Sequence, residues 1–92
     1  MKILIPHELK NELSHCHSQI KLKLRKALDA ILKDPLAGKA LKEELADLFS
    51  YRVERLRIIY AIKKKAIEIK AIGPRQTIYE DTLYLLQKAK KR

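Results

Sequence analysis

Three arginines and a tyrosine, Arg52, Arg57, Arg75 and Tyr79, are the residues of this chain whose types and spacing best suit chemistry. That chemistry is phosphate chemistry. An arginine presents a planar fork of donors that matches phosphate oxygens, and a tyrosine hydroxyl can exchange a proton with a hydroxyl beside it. The sequence offers no paired carboxylates, no Ser-His-Asp set, no zinc-ligand spacing and no glycine-rich phosphate loop. Any reaction run by these residues therefore rests on cationic stabilisation of developing charge. RNA suits such a set. Its 2′-OH is an internal nucleophile on the adjacent phosphate, so a protein need only position, neutralise and move protons.

The residues fall within Phe49 to Tyr79, FSYRVERLRIIYAIKKKAIEIKAIGPRQTIY, which holds most of the strand-like alternation in the sequence. With Glu54-Arg55 as a two-residue turn, Arg52 lies opposite Arg57 and Val53 opposite Leu56. With Lys64-Lys65 as the next turn, Lys63 meets Ala66, Tyr60 meets Ile69 and Arg57 meets Ile72. Alternation then gathers Phe49, Tyr51, Val53, Leu56, Ile58, Tyr60, Ile62, Ile67, Ile69 and Ala71 on a core face. The other face is mixed: Ser50, Arg52, Arg57, Ile59, Ala61, Glu68, Lys70 and Ile72. Like charges directly opposed across a strand pair are unfavourable by a few tenths up to ~1 kcal/mol. A bound phosphate relieves the Arg52–Arg57 pair; so does salt screening at an exposed surface, and the pattern alone leaves both readings open. Tyr79 also reads two ways, as a proton-transfer residue or as a tyrosine half-packed beneath the helix it opens.

The elements around this stretch are short. Lys2 to Ile5 is a strand candidate, and Pro6 suits the first position of a helix carrying Leu9 and Leu13 over 7–15. Ser18 is placed to cap a longer helix that ends near Asp34-Pro35, with Ile20, Leu24, Leu28 and Ile31 as its apolar stripe and Ala27 and Leu32 alongside. Its opposite face, with Lys21, Lys23, Arg25, Lys26, Asp29 and Lys33, reads as solvated. Residues 35–48 read as a loop with one helical turn around Leu41 to Leu45. Gly73-Pro74 ends the last strand, the glycine permitting a bend. Thr77 and Glu80 match a capping box for a C-terminal helix with Leu83, Leu86 and Ala89 as its stripe. Lys88, Lys90, Lys91 and Arg92 then place positive charge at its C-terminus, as the macrodipole favours.

Composition bounds the function. Ninety-two residues make one small domain, and a net charge of +10 favours polyanionic partners: nucleic acid, an acidic protein or an anionic surface. No apolar run approaches the ~20 residues of a membrane span, and the start MKILIPHELK lacks the apolar region of a signal peptide. Cys16 is the single cysteine, which excludes an internal disulfide framework and fits the cytoplasm. His15-Cys16-His17 is a poor metal site, because adjacent side chains point apart and do not close a tetrahedron. His7 reads as structural or exposed. No cofactor or metal is expected.

The run DPLAGKALKEELADLFSYRVERLRIIYAI followed by IKAIGPRQTIYE resembles the RelE/ParE superfamily of bacterial toxins from type II toxin–antitoxin systems. The family pattern passes from G-K-x-L-K through L-(Y/F)-x-x-R-V-x-x-x-R-(I/V)-(I/V)-Y to I-x-(A/S)-I-G-x-R-x-x-x-Y, and the helical first third fits as well. The resemblance implies a single α+β domain over 1–92: an N-terminal helical hairpin packed on a small, twisted, mainly antiparallel sheet, with a C-terminal helix. RelE-like members cut mRNA in the ribosomal A site by 2′-OH attack; ParE-like members inhibit DNA gyrase and typically lack the catalytic set. That set falls here on Arg57 as the clamp on the scissile phosphate, Arg75 as the stabiliser of charge and donor to the leaving oxygen, and Tyr79 at the 2′-OH. Arg52, Arg55 and Lys70 are the expected ligands of RNA phosphate. The resemblance also implies a cognate antitoxin as partner, beside the ribosome and mRNA. Ser50 stands where many members have a basic residue, Glu54-Arg55 replaces a common Gly-Asp turn, and Leu56 replaces a common tyrosine. The alternatives to an mRNA interferase are a gyrase inhibitor and a basic RNA-binding domain without catalysis.

Overall fold

In a computed structural model, which describes residues 1–90 and the side chains of 1–88, the chain forms five strands and three α-helices. The positions expected to carry charge or pack at Lys91 and Arg92, and the side chains of Ala89 and Lys90, lie outside the described residues. Strand β1 (Lys2–Leu4) leads into α1 (His7–Ser14) and α2 (Ser18–Lys33). Strands β2 (Lys39–Ala40), β3 (Leu48–Val53), β4 (Leu56–Ile62) and β5 (Ala66–Pro74) follow, and α3 (Ile78–Lys90) closes the order. They form one sheet in the order β1-β5-β4-β3-β2, antiparallel except for the β1–β5 edge pair. This is the expected α+β architecture.

The tight turns set the register. Glu54 and Arg55 form the two-residue connection, so Arg52 stands opposite Arg57 and Val53 opposite Leu56. Such turns need a positive φ, and Glu54 supplies it at 55° without being glycine. At the second turn the Lys63 N–H donates to the Ala66 carbonyl, and Tyr60 meets Ile69. One expectation fails further along. A bulge between Ile59 and Tyr60 shifts the pairing so that Arg57 meets Gly73, not Ile72. An extra residue on one strand flips every side chain beyond it. Ala71 therefore joins the face assigned to Ile72, and Ile72 packs with the first core.

Each face of the sheet carries a core. On one, Leu9 of α1 and Leu24, Ala27 and Ile31 of α2 bury Ile58, Tyr60, Ile67 and Ile69. On the other, Ile78 of α3 covers Leu48, Ile59, Ala61 and Ala71, with Tyr79 and Leu86 packed against them. The face that reads as mixed in sequence is thus dry over its middle, because α3 folds back over it. Leu86 joins its core as expected.

Local details differ for local reasons. Asp34 caps a single 3-10 turn over Pro35–Ala37, β2 follows, and a second 3-10 turn spans Glu43–Leu45, where a loop with one helical turn was expected. The connection is held by Tyr60, whose buried hydroxyl donates to the Pro35 carbonyl at 2.7 Å and accepts from the Gly38 N–H at 3.1 Å. A Cβ on Gly38 would sit 2.5 Å from that hydroxyl. The cap of α2 is His17, whose Nδ1 accepts from the Gln19 N–H at 3.2 Å; Ser18 is already helical. The imidazole thus does a capping serine's work.

Candidate active site

The register brings the arginines to one end of the sheet. Arg52 and Arg57 oppose each other on β3 and β4, beside the turn that holds Arg55. Arg57 in turn meets Gly73 on β5, and the Arg75 N–H donates to the Arg55 carbonyl at 3.1 Å. Four guanidinium-bearing residues are therefore anchored on adjoining backbone positions of a single hairpin and the turn that follows the strand beside it. Arg52, Arg55 and Arg75 are exposed, and Arg57 is half-buried. Arg52 donates through Nε to the Glu54 carbonyl at 3.1 Å. The Nε of Arg57 is buried and has no hydrogen-bond partner. A buried donor left unmet costs about 1–3 kcal/mol, a cost that an anion drawn into the cluster can reduce if it lets the guanidinium reorient.

Tyr79 reaches the same face from α3. Its hydroxyl shares a hydrogen bond of 3.2 Å with the hydroxyl of Ser50, which is 2% exposed. Ser50 pairs with Ile59 and lies two residues before Arg52 on β3, so the bond fixes the phenol on the sheet face that carries Arg57. Of the two sequence readings of Tyr79, the half-packed one is seen here: it packs against the second core, with its hydroxyl on Ser50. Gly73 makes the approach possible. A Cβ there would lie 3.0 Å from Cδ1 of Ile78, so a bare backbone lets the first turn of α3 sit close on β5. Close approach, rather than the bend expected from the sequence, is the role of this glycine. The buried Thr82 hydroxyl is satisfied within the same helix, donating to the Ile78 carbonyl at 2.7 Å.

Lys70 is not brought to the arginine end. It sits at mid-strand on β5 and forms an ion pair with Glu68, and this hydrogen bond is the main reason the Glu68 carboxyl is held below its ordinary range. Ser50 is the residue that sequence reasoning passed over. It stands out in the sequence only as a departure from the family's basic residue, and burial beside Tyr79 gives that departure its meaning. The His15-Cys16-His17 run divides its work between a cap at His17 and a Cys16 thiol directed at the Glu12 carbonyl. Among the described residues no group of three His, Cys, Asp or Glu side chains is placed to hold a metal ion.

A family model described as the ParE-like toxin of type II bacterial toxin–antitoxin systems matches residues 3–83, which takes in the whole arginine end and Tyr79. The chain belongs to the ParE-like toxin family. Solved structures show the same fold around this ParE-like toxin. A RelBE2 toxin–antitoxin complex from Mycobacterium tuberculosis contains a chain 24% identical to it, with 80% of this chain and 96% of that one covered and a TM-score of 0.70. A mutant of Escherichia coli RelE in the free state is 15% identical over 89% of this chain and 93% of that one, with a TM-score of 0.72. A YoeB–YefM complex from Staphylococcus aureus is 19% identical over 77% and 92%, with a TM-score of 0.67. Curated proteins compared by sequence give no match. At these identities the structural likeness speaks to the fold, and no helix among the described residues is long and apolar enough to cross a membrane.

Proposed function

We propose that this toxin is an endoribonuclease that cuts mRNA on the ribosome by 2′-OH attack. The observation that carries the reading is the Ser50–Tyr79 hydrogen bond, which holds a phenol on the face where Arg57 projects. Arg57 clamps the scissile phosphate, and Arg75 neutralises the charge that develops on it and donates to the leaving 5′-oxygen. Tyr79 orients the 2′-OH and takes its proton. The oxygen of that hydroxyl attacks the adjacent phosphorus, the bond to the 5′-oxygen breaks, and a 2′,3′-cyclic phosphate remains. Neutralisation by oriented cations and general acid–base transfer supply the rate, with no covalent enzyme intermediate. Arg52 and Arg55 hold flanking phosphates. Lys70, occupied by Glu68, contributes only if that pair opens.

The mycobacterial and staphylococcal neighbours come from toxin–antitoxin complexes, and a surface of net charge +10 suits an acidic partner that associates quickly by electrostatic steering. A cognate antitoxin is accordingly the expected protein partner. The competing reading is gyrase inhibition, which the ParE-like description of the family model keeps in view. Primer extension on a reporter mRNA after brief induction decides between them. Cuts at codon-phased positions that vanish in Arg75→Ala and in Tyr79→Phe support the nuclease. Growth arrest without cuts, persisting in both variants, moves the protein to the gyrase branch.

A further inference from the structure

The basic face of α2 reads as solvated in the sequence, but two of its lysines are set apart by the sheet. Strand β2 pairs with β3 only at Ser50 and Phe49, so among the described residues Tyr51, Arg52 and Val53 have no strand neighbour on that side. A groove runs along this open edge, with Lys23 and Lys26 on its α2 wall and Tyr51, Arg52 and Val53 on its strand wall. It continues around the β3–β4 turn, where Lys23 and Arg52 are joined by Arg55. Arg52 and Arg55 thus belong both to this groove and to the arginine end of the sheet. Among the described residues Lys26, Arg52 and Arg55 have no carboxylate at ion-pair distance. The one acidic side chain in the groove is Glu54, which pairs with Lys23; both are about half exposed, and exposed pairs of this kind are weak.

We propose that this groove is a second RNA-binding track, holding backbone phosphates beyond the scissile one. A strand leaving Arg57 and Arg75 passes over the turn at Arg52 and Arg55 and continues onto Lys23 and Lys26. A phosphate displaces the Glu54 carboxylate from Lys23 on the way. Continuity with the arginine end favours RNA over a protein segment, since two of the groove's cations are shared with the candidate active site. The inference deepens the nuclease reading by extending its substrate contacts, yet it requires only that the chain bind RNA.

Salt-dependent binding of the full chain to a short, mixed-sequence single-stranded RNA tests it without reference to cleavage. Each lost phosphate contact lowers the slope of log affinity against log salt by about 0.7. Lys23→Ala with Lys26→Ala is expected to lower it by about 1.4. Lys64→Ala with Lys65→Ala, at the turn on the other end of β4, removes the same charge and should leave the slope nearly unchanged. Glu54→Gln should tighten RNA binding several-fold, a gain that disappears in the Lys23→Ala background. Equal slope changes in the two lysine pairs would overturn the proposal, because the effect would then be net charge alone. So would an unchanged RNA slope in the Lys23/Lys26 variant accompanied by weaker binding of poly-glutamate, which would assign the groove to an acidic protein. If codon-phased cuts prove absent while the slope falls as expected, the track stands and the nuclease reading alone fails.

Discussion

The two faces of the sheet are built from the same central strands but finish differently. The face under α1 and α2 is apolar over its middle, and its buried Tyr60 hydroxyl is fully engaged by Pro35 and Gly38. The face under α3 is dry only over Ile59, Ala61 and Ala71; towards the hairpin turn it opens into Ser50, Tyr79 and the arginines, where the Arg57 Nε has no partner. The first face can spend every contact on stability. The second leaves donors uncovered at one end, where Arg52, Arg55 and Arg75 are exposed.

Substitutions on the two faces should therefore separate stability from activity. The largest loss of stability is expected for Ile58→Ala in the first core, about 3–4 kcal/mol by urea unfolding, because a fully buried branched side chain leaves a cavity. A loss under about 1 kcal/mol would mean that this core is loosely packed. Tyr79→Phe should do the reverse: cleavage falls about 100-fold or more while stability falls by only about 1–2 kcal/mol, the cost of leaving the Ser50 hydroxyl without its partner. Unfolding in step with inactivation would make the tyrosine structural and erase the contrast between the faces.

Tyr60→Phe removes a hydroxyl that satisfies two backbone groups, and should cost about 1–3 kcal/mol with cleavage little changed. It also carries a pH signature. Burial, foremost, holds the Tyr60 hydroxyl above its ordinary value near 10, partly offset by the Gly38 N–H. The folded state thus keeps this proton to higher pH than the unfolded chain does. The stability it contributes is complete below about pH 10 and is lost as pH rises through the folded value. Chemical denaturation across the alkaline range should show that loss in the wild type and a shallower one in Tyr60→Phe. The smallest effect is expected for Ser50→Ala, under about 1.5 kcal/mol of stability, with a loss of cleavage that Ser50→Thr restores if the hydroxyl serves to hold Tyr79. Equal activity of the alanine and threonine variants would show that Tyr79 needs no such partner.

Much of the fold was legible because strand alternation and two-residue turns are local rules. Arg52 opposite Arg57 and Tyr60 opposite Ile69 both follow from counting outward from a turn. The bulge at Ile59/Tyr60 was not legible, since no glycine or proline marks it, and it carried Ala71 and Ile72 to the wrong faces in the count. The arginine–tyrosine set was legible as residue types in family order. The place of Lys70 was not, because its pairing with Glu68 depends on where the side chains lie along β5.

The sequence by itself determined which residues carry charge, where the hairpins turn and which toxin family the chain resembles, because these rest on composition, spacing and ordered motifs. Only the tertiary structure decided that α3 returns across the sheet to bury Ile59 and to bring Tyr79 against Ser50. It alone also showed that the truncated pairing of β2 leaves Lys23 and Lys26 facing an open edge of β3. The physical reason is the same in both cases. Contacts between residues distant in the chain are settled by how whole elements pack, and no local pattern records which exposed group an arriving helix will cover or leave bare.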